Sequence, residues 1–565
     1  MPTKIRAILF FGSLLAAARG AGVTNVAGAA LATPDECTSL SCELRLGAVA
    51  HEGPSSSFVT RAYNGAIPGP TLRASAGDTL AVTLVNTLAD VANADDVAMN
   101  TFRTPNTTNL HTHGLHVSSA APGDDIFTEV EPMHTGAFEF AIPDFHMGGT
   151  HWYHPHHHGS TALQAGGGAA GLLIVEDAAG EVPEQVASMP EIILFCSAVD
   201  LDAMSEIQAG FNDALWQVQG DTGIVLLVNG QSAPTVSMDT GVWYRWRVAY
   251  AAVESTAKLS FDGGDCEMQL LAKDGIYLAT APRAVAELPL YPGARADVAV
   301  RCSATGTFNL VAAARRRSRR RLQPGGGGGG GMGGDDAWTG TALTVEVSGD
   351  DAAEPDIDAF AVLRPCYLAD TRGAAAVDAS AEVNLAGGND FTVNGASFVD
   401  YATYLESFAA GALVELAVDG FAGHPFHLHI NPYQIVTMTP DDATYFQAGD
   451  WHDTLYDGAD TATVRLYTDT FTGKMVIHCH IPEHEDQGMM GIFEITGTEG
   501  ATYTDAETLD PTCYRDSTRG FTGATFAPTS APVAAIGSAM RDRRGAAGGA
   551  AVLVALAAWT AALLA

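Results

Sequence analysis

Residues 478–490 read HCHIPEHEDQGMM and bring a thiol, three imidazoles and thioethers into one short segment. Successive side chains of a strand point to opposite faces, so His478 and His480 would face one way and Cys479 the other. A chain that turns back after the strand can bring His484 and Met489 beside Cys479. Cysteine, histidine and a weak methionine ligand suit a blue copper centre once a second histidine joins them. The segment therefore predicts two adjoining metal sites.

The other histidines form a pattern that favours a metal cluster. None lies between His158 and His424. Outside that gap there are four His-x-His pairs, and each would place both imidazoles on one face of a strand. The pairs are His111 with His113, His154 with His156, His427 with His429, and His478 with His480. Imidazole suits copper, and eight such ligands are enough for three copper ions in a cage.

The second histidine of the blue copper site is found in the segment GHPFHLH. His424 stands three positions before His427, and Pro425 turns the chain so that His424 can diverge toward Cys479. The predicted set is therefore completed as His424, Cys479, His484 and the axial Met489.

An internal repeat indicates the domains that position these residues. Asn-Gly dipeptides begin at Asn64, Asn229 and Asn394, at equal intervals of 165 residues. After each, a glycine introduces an alternating β-rich run, at Gly77, Gly241 and Gly411. Long helical periodicity is absent. We predict three β-sandwich domains in tandem, over residues 38–180, 185–350 and 355–500, with the middle domain supplying no imidazole.

Composition and charge narrow the class of protein. Of the 565 residues, 47% are hydrophobic and only 17% charged, which indicates a folded chain rather than a disordered one. The net charge of −36 argues against nucleic acid and anionic membrane surfaces as partners. Within the middle domain, residues 315–334 carry six arginines followed by a glycine run, which predicts an exposed, flexible loop.

Both ends of the chain predict export. Residues 1–20 have a basic start, a short apolar run and small residues for cleavage, as in a signal peptide. Residues 519–540 read as a linker, and residues 545–565 form an uncharged tail behind three arginines. That order fits a GPI-attachment signal better than a retained membrane helix. We expect a secreted or surface-anchored protein on the outer face of the plasma membrane, with membrane contact only through the tail or its anchor.

Export would place the chain in an oxidising compartment, where disulfides persist and glycans are added. Asn106 begins a glycosylation sequon. Apart from Cys479 there are seven cysteines, an odd number, so not all of them can pair within the chain and the connectivity stays open.

The four metal segments together resemble a known family. NLHTHGLH, THWYHPHHHGST, GHPFHLH and HCHIPEHEDQGMM occur in this order, and the chain resembles the three-domain multicopper oxidases of the laccase and bacterial copper-oxidase type. The likeness runs from YNGAIPGPT to HCHIPEHEDQGMMGIFEI. It includes two further family landmarks, PGARADVAV at residues 292–300 and GDWHDTLY at residues 449–456.

The resemblance implies an all-β chain of three cupredoxin-like Greek-key sandwiches that binds four copper ions. Type 1 copper would take His424, Cys479, His484 and Met489, and type 2 copper would take His111 and His427. The two type 3 ions would take the remaining six histidines, His113, His154, His156, His429, His478 and His480. A reductant would give single electrons to type 1 copper, and the His-Cys-His strand would carry them to the cluster, where dioxygen becomes water.

Two carboxylates match acids that the family uses near the cluster. Glu485 directly follows His484, and Asp124 follows the first signature. A buried carboxyl group can relay protons, so we predict this role for both; solvated acids are the alternative.

The reducing substrate is left open by the sequence. Laccase-like oxidation of phenols and aromatic amines comes first, and oxidation of cuprous, ferrous or manganous ions is the alternative. The acidic chain, with Asp450 and Asp453 expected near the type 1 edge, leans toward a cation. A non-enzymatic copper-binding surface protein is a further alternative, against which the intact ligand sets argue.

Overall fold

Six β-sheets, in three successive pairs, form the part of the chain that the computed structural model describes. The described residues are 23–24, 26–91, 98–211, 213–312, 337–350, 354–388, 390–439, 445–456 and 461–515. The predicted signal peptide, the Arg/Gly-rich loop and the C-terminal linker and tail lie outside these ranges. Among the described residues, no helix has the length and apolar character needed to cross a membrane.

The first pair of sheets contains the two first-half histidine pairs. One sheet runs, in spatial order, Gln217–Gly220, Ser56–Tyr63, Ser41–Glu52, Thr79–Asn86 and Thr135–Ala141, with Val23–Thr24 beside Ser41–Glu52. The other runs Glu36–Cys37, Thr71–Ser75, Gly171–Glu176, Gly149–His154 and His111–His113. Apolar side chains of both sheets share one buried core. Gln217–Gly220 joins this pair although it lies in the range predicted for the middle domain.

The middle pair of sheets holds no histidine. One sheet runs Ile224–Val228, Glu191–Asp200, Tyr244–Ala252, Arg295–Cys302, Cys266–Lys273 and Ile276–Tyr277, with Arg283–Val285 beside Cys266–Lys273. The other runs Thr235–Asp239, Gly340–Ser348, Gly306–Ala312, Ala257–Phe261 and Leu288–Leu290.

The third pair contains the remaining predicted ligands. One sheet runs Thr392–Val393, Ala379–Ala386, Leu413–Asp419, Thr461–Tyr467, Tyr433–Thr439 and Trp451–His452. The other runs Ser407–Ala409, Met490–Thr496, Gly473–Cys479, Phe426–Leu428 and Thr454–Leu455. Burial alternates along strands such as Thr79–Asn86 and Leu413–Asp419, as expected where one face meets a core. The predicted all-β fold is confirmed.

The three Asn-Gly turns have the same conformation, one in each pair of sheets. Asn64, Asn229 and Asn394 have positive φ values of 51°, 50° and 53°, and the glycine after each has a φ of 78°. Asparagine and glycine tolerate this left-handed region better than other residues. Each asparagine Oδ1 also accepts a backbone N–H from the same pair of sheets: Arg45 at 2.6 Å, Phe195 at 2.8 Å and Asn384 at 2.8 Å, respectively.

Helices are few and short: Thr161–Ala165, Glu184–Ala187, Leu201–Ala209, Pro482–Asp486 and Ala506–Leu509, with 3-10 turns at Cys366–Leu368 and Thr371–Gly373. Two of them link the first and third pairs of sheets. The buried Asp486 accepts backbone N–H groups from Gly159 at 2.6 Å, Thr161 at 3.0 Å and Ala162 at 2.8 Å. One carboxylate therefore satisfies the otherwise unpaired N–H groups at the start of a first-domain helix.

Three disulfides answer the question of the odd cysteine count. Cys37 pairs with Cys42, Cys266 with Cys302, and Cys366 with Cys513. Cys196 is the cysteine left over, and it is buried in the core of the middle pair of sheets. The Cys366–Cys513 bond ties the segment after the last strand back to the start of the third domain.

The same C-terminal segment covers a titratable group. Asp469 is buried; it accepts the backbone N–H of Tyr503 at 2.7 Å and lies 3.7 Å from the Arg515 guanidinium. Burial raises the pKa of Asp469 to about 7, against the effects of Tyr503 and Arg515. The folded chain therefore holds a proton that the unfolded chain has lost above about pH 4.

We predict that this proton makes the folded state less stable as the pH rises through about 7. Between about pH 5 and pH 8 the unfolding free energy should fall by about 3 kcal/mol through Asp469 alone, nearly all of it below about pH 7. Asp469→Asn should remove that part of the pH dependence while keeping the acceptor for Tyr503. Thermal midpoints of the wild type and the variant, measured across this range, test the prediction. Parallel pH curves would contradict it.

Candidate metal centre

A thiol and two imidazoles converge at the end of the strand Gly473–Cys479. The Cys479 Sγ lies 3.5 Å from Nδ1 of His484 and 3.7 Å from Nδ1 of His424, and these two nitrogens are 3.1 Å apart. Cys479 and His484 are buried, whereas His424 is half-buried. Burial raises the pKa of the Cys479 thiol and lowers that of His484 to about 3. A cation is therefore needed to stabilise the thiolate here, and the three atoms are spaced to share one metal ion.

Met489 is held against this triad through its backbone. Its N–H donates to the carbonyl of His484 at 2.9 Å, and its carbonyl accepts the N–H of Cys479 at 3.1 Å. The residue is fully buried in the same hydrophobic core as Cys479. The segment after the strand thus turns back as the sequence predicts.

The four His-x-His pairs meet between the first and third pairs of sheets. Strand register places His111 opposite His154, and His427 opposite His478. Imidazoles from the two domains then stack on each other. The ring centres of His111 and His429 are 4.0 Å apart, and those of His113 and His427 are 3.8 Å apart. All eight rings are buried, and they form several three-nitrogen groups that fit a metal ion.

Outer hydrogen bonds fix which nitrogen of these rings faces inward. Nδ1 of His111 donates to the Asp124 carboxylate at 2.9 Å, and Nδ1 of His154 donates to the Pro155 carbonyl at 2.9 Å. Nδ1 of His427 donates to the backbone carbonyl of Asp453 at 2.8 Å, and Nδ1 of His478 donates to that of Cys479 at 2.9 Å. Each neutral ring therefore keeps a bare lone pair on Nε2.

These lone pairs point at one another rather than at protein donors. Nε2 of His111, His154 and His427 is buried without a hydrogen-bond partner among the described residues. Nε2 of His478 lies 3.1 Å from Nε2 of both His156 and His429. Burial lowers the pKa of His478 to about 3 and that of His154 well below 6.5, so the rings stay neutral. Converging neutral imidazole nitrogens form a donor set that fits copper ions.

The two predicted carboxylates are both buried, but their contacts differ. Asp124 accepts the N–H of Thr112 at 2.7 Å in addition to that of His111, which fixes the His111 ring. Glu485 is fully buried and lines the small cavity beside His154, His156, His478 and His480. Its Oε2 has no partner among the described residues. The solvated alternative is therefore wrong for both acids.

The protonation state of Glu485 follows from its neighbours. Its Oε1 lies 2.7 Å from Nδ1 of His158, whose Nε2 lies 3.1 Å from Oδ1 of Asn100. The Asn100 amide nitrogen donates to the Phe398 carbonyl, so Oδ1 must accept from His158. A neutral His158 then accepts at Nδ1, and Glu485 donates. Burial favours the same assignment, because it raises the pKa of Glu485 to about 8 and lowers that of His158 to about 4.

The expectation for Asp450 and Asp453 was wrong. Both are buried rather than placed at the edge of the Cys479 site. Asp450 pairs with Lys273 at 2.6 Å and Arg283 at 2.8 Å. Asp453 lies behind the histidine cluster, with Oδ1 3.1 Å from Nε2 of His113. Neither carboxylate is free to attract a cation.

The sequon asparagine Asn106 lies in the core and not at the surface. The Asn106 side chain is buried, its Oδ1 accepts from Arg61 at 2.9 Å, and its Nδ2 donates to Ala89 at 2.9 Å. A sugar on this nitrogen would break buried hydrogen bonds and find no space.

Comparisons with known proteins agree with this geometry. Three family models, each described as "Multicopper oxidase", match residues 51–180, 147–325 and 378–498 and together cover more than half of the chain. The chain belongs to the multicopper oxidase family. This three-domain multicopper oxidase is a copper-dependent oxidase that couples oxidation of a reductant to reduction of dioxygen.

Individual multicopper oxidases are similar over most of their length. The multicopper oxidase mco of Staphylococcus aureus is 25% identical over 445 residues, which are 77% of this chain and 84% of that one. A solved multicopper oxidase of Campylobacter jejuni, titled a metallo-oxidase, gives a TM-score of 0.59 at 19% identity over 84% of this chain and 96% of its own. A laccase-like multicopper oxidase from Ochrobactrum sp. gives 0.59 at 20% identity over 82% and 100%.

Sequence reasoning missed several residues around the oxidase cluster. His158, Asp486, Asp453 and Arg295 all contact the site or its supporting elements. Arg295 lies in the segment PGARADVAV, which the resemblance marked without giving the residue a role, whereas Asp453 in GDWHDTLY was expected at the edge of the Cys479 site and not behind the histidine cluster.

Proposed function

We propose that this oxidase binds four copper ions. Type 1 copper would be held by His424, Cys479, His484 and Met489, and type 2 copper by His111 and His427. The type 3 pair would be held by His113, His154, His156, His429, His478 and His480. The observation that carries the proposal is the strand ending in Cys479, which joins the thiol site covalently to two cluster histidines.

The reducing substrate is a phenol or aromatic amine in the first form of this proposal. His424 is half-buried beside Gly387, where a Cβ would lie 3.1 Å from Cε1 of the imidazole, and Phe391 stacks on His484 at 4.2 Å. An apolar ring next to an exposed imidazole edge suits an aromatic reductant. The Ochrobactrum relative, titled with activity towards lignin model compounds, supports the same class.

Metal ions remain the second candidate. The net charge of −36 attracts cations, and the Campylobacter relative is titled a metallo-oxidase. Asp450 and Asp453 do not add to this attraction for cations, because Asp450 is buried in ion pairs and Asp453 lies against the histidine cluster.

A substrate panel separates the two forms. We expect kcat/KM for a substituted phenol and an aromatic amine to exceed kcat/KM for cuprous, ferrous and manganous ions, measured as oxygen uptake. The copper-free protein is the control for metal-driven background oxidation. Metal-ion oxidation at least about tenfold faster than phenol oxidation would replace the laccase-like proposal with the metallo-oxidase one.

Glu485 and Asp124 take different roles in this function. Glu485 holds a proton beside the cavity of the cluster, and His158 is the side chain in hydrogen-bond contact that would return a proton to it. Asp124 accepts hydrogen bonds from His111 and Thr112 and so fixes a ligand, in addition to the relay role predicted for it.

The enzyme acts outside the cytosol. Three disulfides are typical of secreted proteins, and they support the predicted export of the chain.

A further inference from the structure

The middle domain supplies no histidine, yet one of its side chains reaches the histidine cluster. Arg295 begins the strand Arg295–Cys302 and is buried. Its Nη1 donates to Oδ1 of Asp453 at 2.8 Å, and its Nη2 donates to Oδ2 of the same carboxylate. This two-point contact fixes the plane of the carboxylate as well as its position.

Asp453 in turn contacts histidines from two domains, one through its carboxylate and one through its backbone carbonyl. Nε2 of His113, from the first domain, is 3.1 Å from Oδ1 of Asp453. Nδ1 of His427, from the third domain, donates to the carbonyl of the same residue at 2.8 Å. The opposite nitrogen of His113 lies 3.2 Å from His480 inside the cluster. Asp453 therefore determines which nitrogens of His113 and His427 face inward.

Arg295 is itself held from several sides. Nη1 also donates to the Gly293 carbonyl at 2.7 Å, and Nη2 to the Asp274 carbonyl at 3.1 Å. Asp274 accepts from His452 of the third domain at 2.9 Å. The guanidinium is thus buried and held by hydrogen bonds at both of its terminal nitrogens.

Two glycines leave room for this arrangement. A Cβ at Gly114 would lie 2.5 Å from Nη2 of Arg295 and 2.9 Å from Oδ2 of Asp453. A Cβ at Gly293 would lie 3.0 Å from the His480 ring and 3.2 Å from that of His113. The backbones of the first and middle domains therefore close directly over the ion pair and the cluster.

We infer that Arg295 is a positioning residue of the copper cluster: through Asp453 it aligns His113 and His427, so that the histidine-free middle domain sets the geometry of the type 2 and type 3 sites. The inference rests on the proposed copper assignment. It gives the middle domain a part in metal binding without a ligand of its own.

The test compares Arg295→Gln with Arg245→Gln in the full copper-loaded chain. Arg245 is a matched control, because it is also buried and pairs with Asp297 and with Asp177 of the first domain, away from the cluster. Copper per chain, blue absorbance, the type 2 paramagnetic resonance signal and thermal midpoint are measured for each. Arg295→Gln should keep the blue absorbance and lose roughly 10- to 100-fold in copper affinity at the cluster. Arg245→Gln should lower the midpoint but keep the wild-type ratio of type 2 to type 1 signal.

Several outcomes would overturn the inference. One is a wild-type signal ratio in Arg295→Gln, and another is an equal loss in both variants. If Arg295→Gln does not fold, Arg295→Lys and the double variant Arg295→Gln with Asp453→Asn replace it. Lysine keeps the charge but not the two-point contact, so a partial loss is expected. The double variant should lose no more type 2 signal than Asp453→Asn alone, and additive losses would contradict an action through Asp453. A wild-type chain that binds no copper would instead overturn the proposed function and this inference together.

Discussion

Cys479→Ser should abolish the blue absorbance and reduce substrate oxidation to the background rate. The Cys479 Sγ lies 3.7 Å from Nδ1 of His424 and 3.5 Å from Nδ1 of His484. The residues on either side of Cys479 in the chain are histidines of the cluster. A serine hydroxyl is a hard, protonated ligand at neutral pH and neither replaces the thiolate nor provides its absorbance. Absorbance spectra and oxygen uptake after copper loading measure both effects.

Cys196→Ser is the matched control for this variant. Cys196 is also buried and unpaired, but it lies in the core of the middle domain, among residues such as Val248 and Leu310. Cys196→Ser should cost stability and leave the colour unchanged. The type 2 signal of Cys479→Ser should also persist, because the eight cluster histidines remain. A blue Cys479→Ser protein would show that the thiol site had been assigned wrongly.

Glu485→Gln should slow dioxygen reduction by about 100-fold while leaving the reduction of the blue centre by substrate unchanged. Glutamine keeps the size of the side chain but holds no transferable acid proton. The buried carboxyl group faces the cavity that His154, His156, His478 and His480 line, so its loss should affect the dioxygen half-reaction only. Stopped-flow bleaching without oxygen, followed by reoxidation with oxygen, separates the two halves.

Glu483→Gln provides the comparison on the same short helix. Glu483 is half-buried, and its carboxylate lies 3.3 Å from the amide nitrogen of Gln487. Reoxidation at the wild-type rate is expected for this variant. If Glu483→Gln and Glu485→Gln slow reoxidation equally, the effect is one of net charge, and the relay role of Glu485 is wrong.

The opposite facing of Cys479 and its two histidine neighbours could be predicted from sequence because it is set by one strand. The parity of His478, Cys479 and His480 on one strand decides which faces they occupy, and the structure keeps that parity. The Asn-Gly repeats were equally informative, because each turn needs left-handed backbone that few residues adopt.

The supporting contacts could not be predicted in this way. Asp453 and Arg295 are 158 residues apart and meet only after three domains have packed. The burial of Asp450 and Asp453 could not be predicted from the neighbouring sequence, because their partners Lys273 and Arg295 lie in the middle domain. Asn106 shows the same limit, because a sequon carries no information on whether its amide becomes part of a core.

The division of the histidine cluster between the first and third domains has a consequence for biogenesis. Domains at the N-terminus fold first during synthesis, so His111, His113, His154 and His156 are in place long before His427 and His478 exist. A half-built set of imidazoles cannot retain copper as the closed cage does. Copper binding at the cluster therefore has to follow synthesis of the third domain. A chain truncated before that domain would stay without copper at this site.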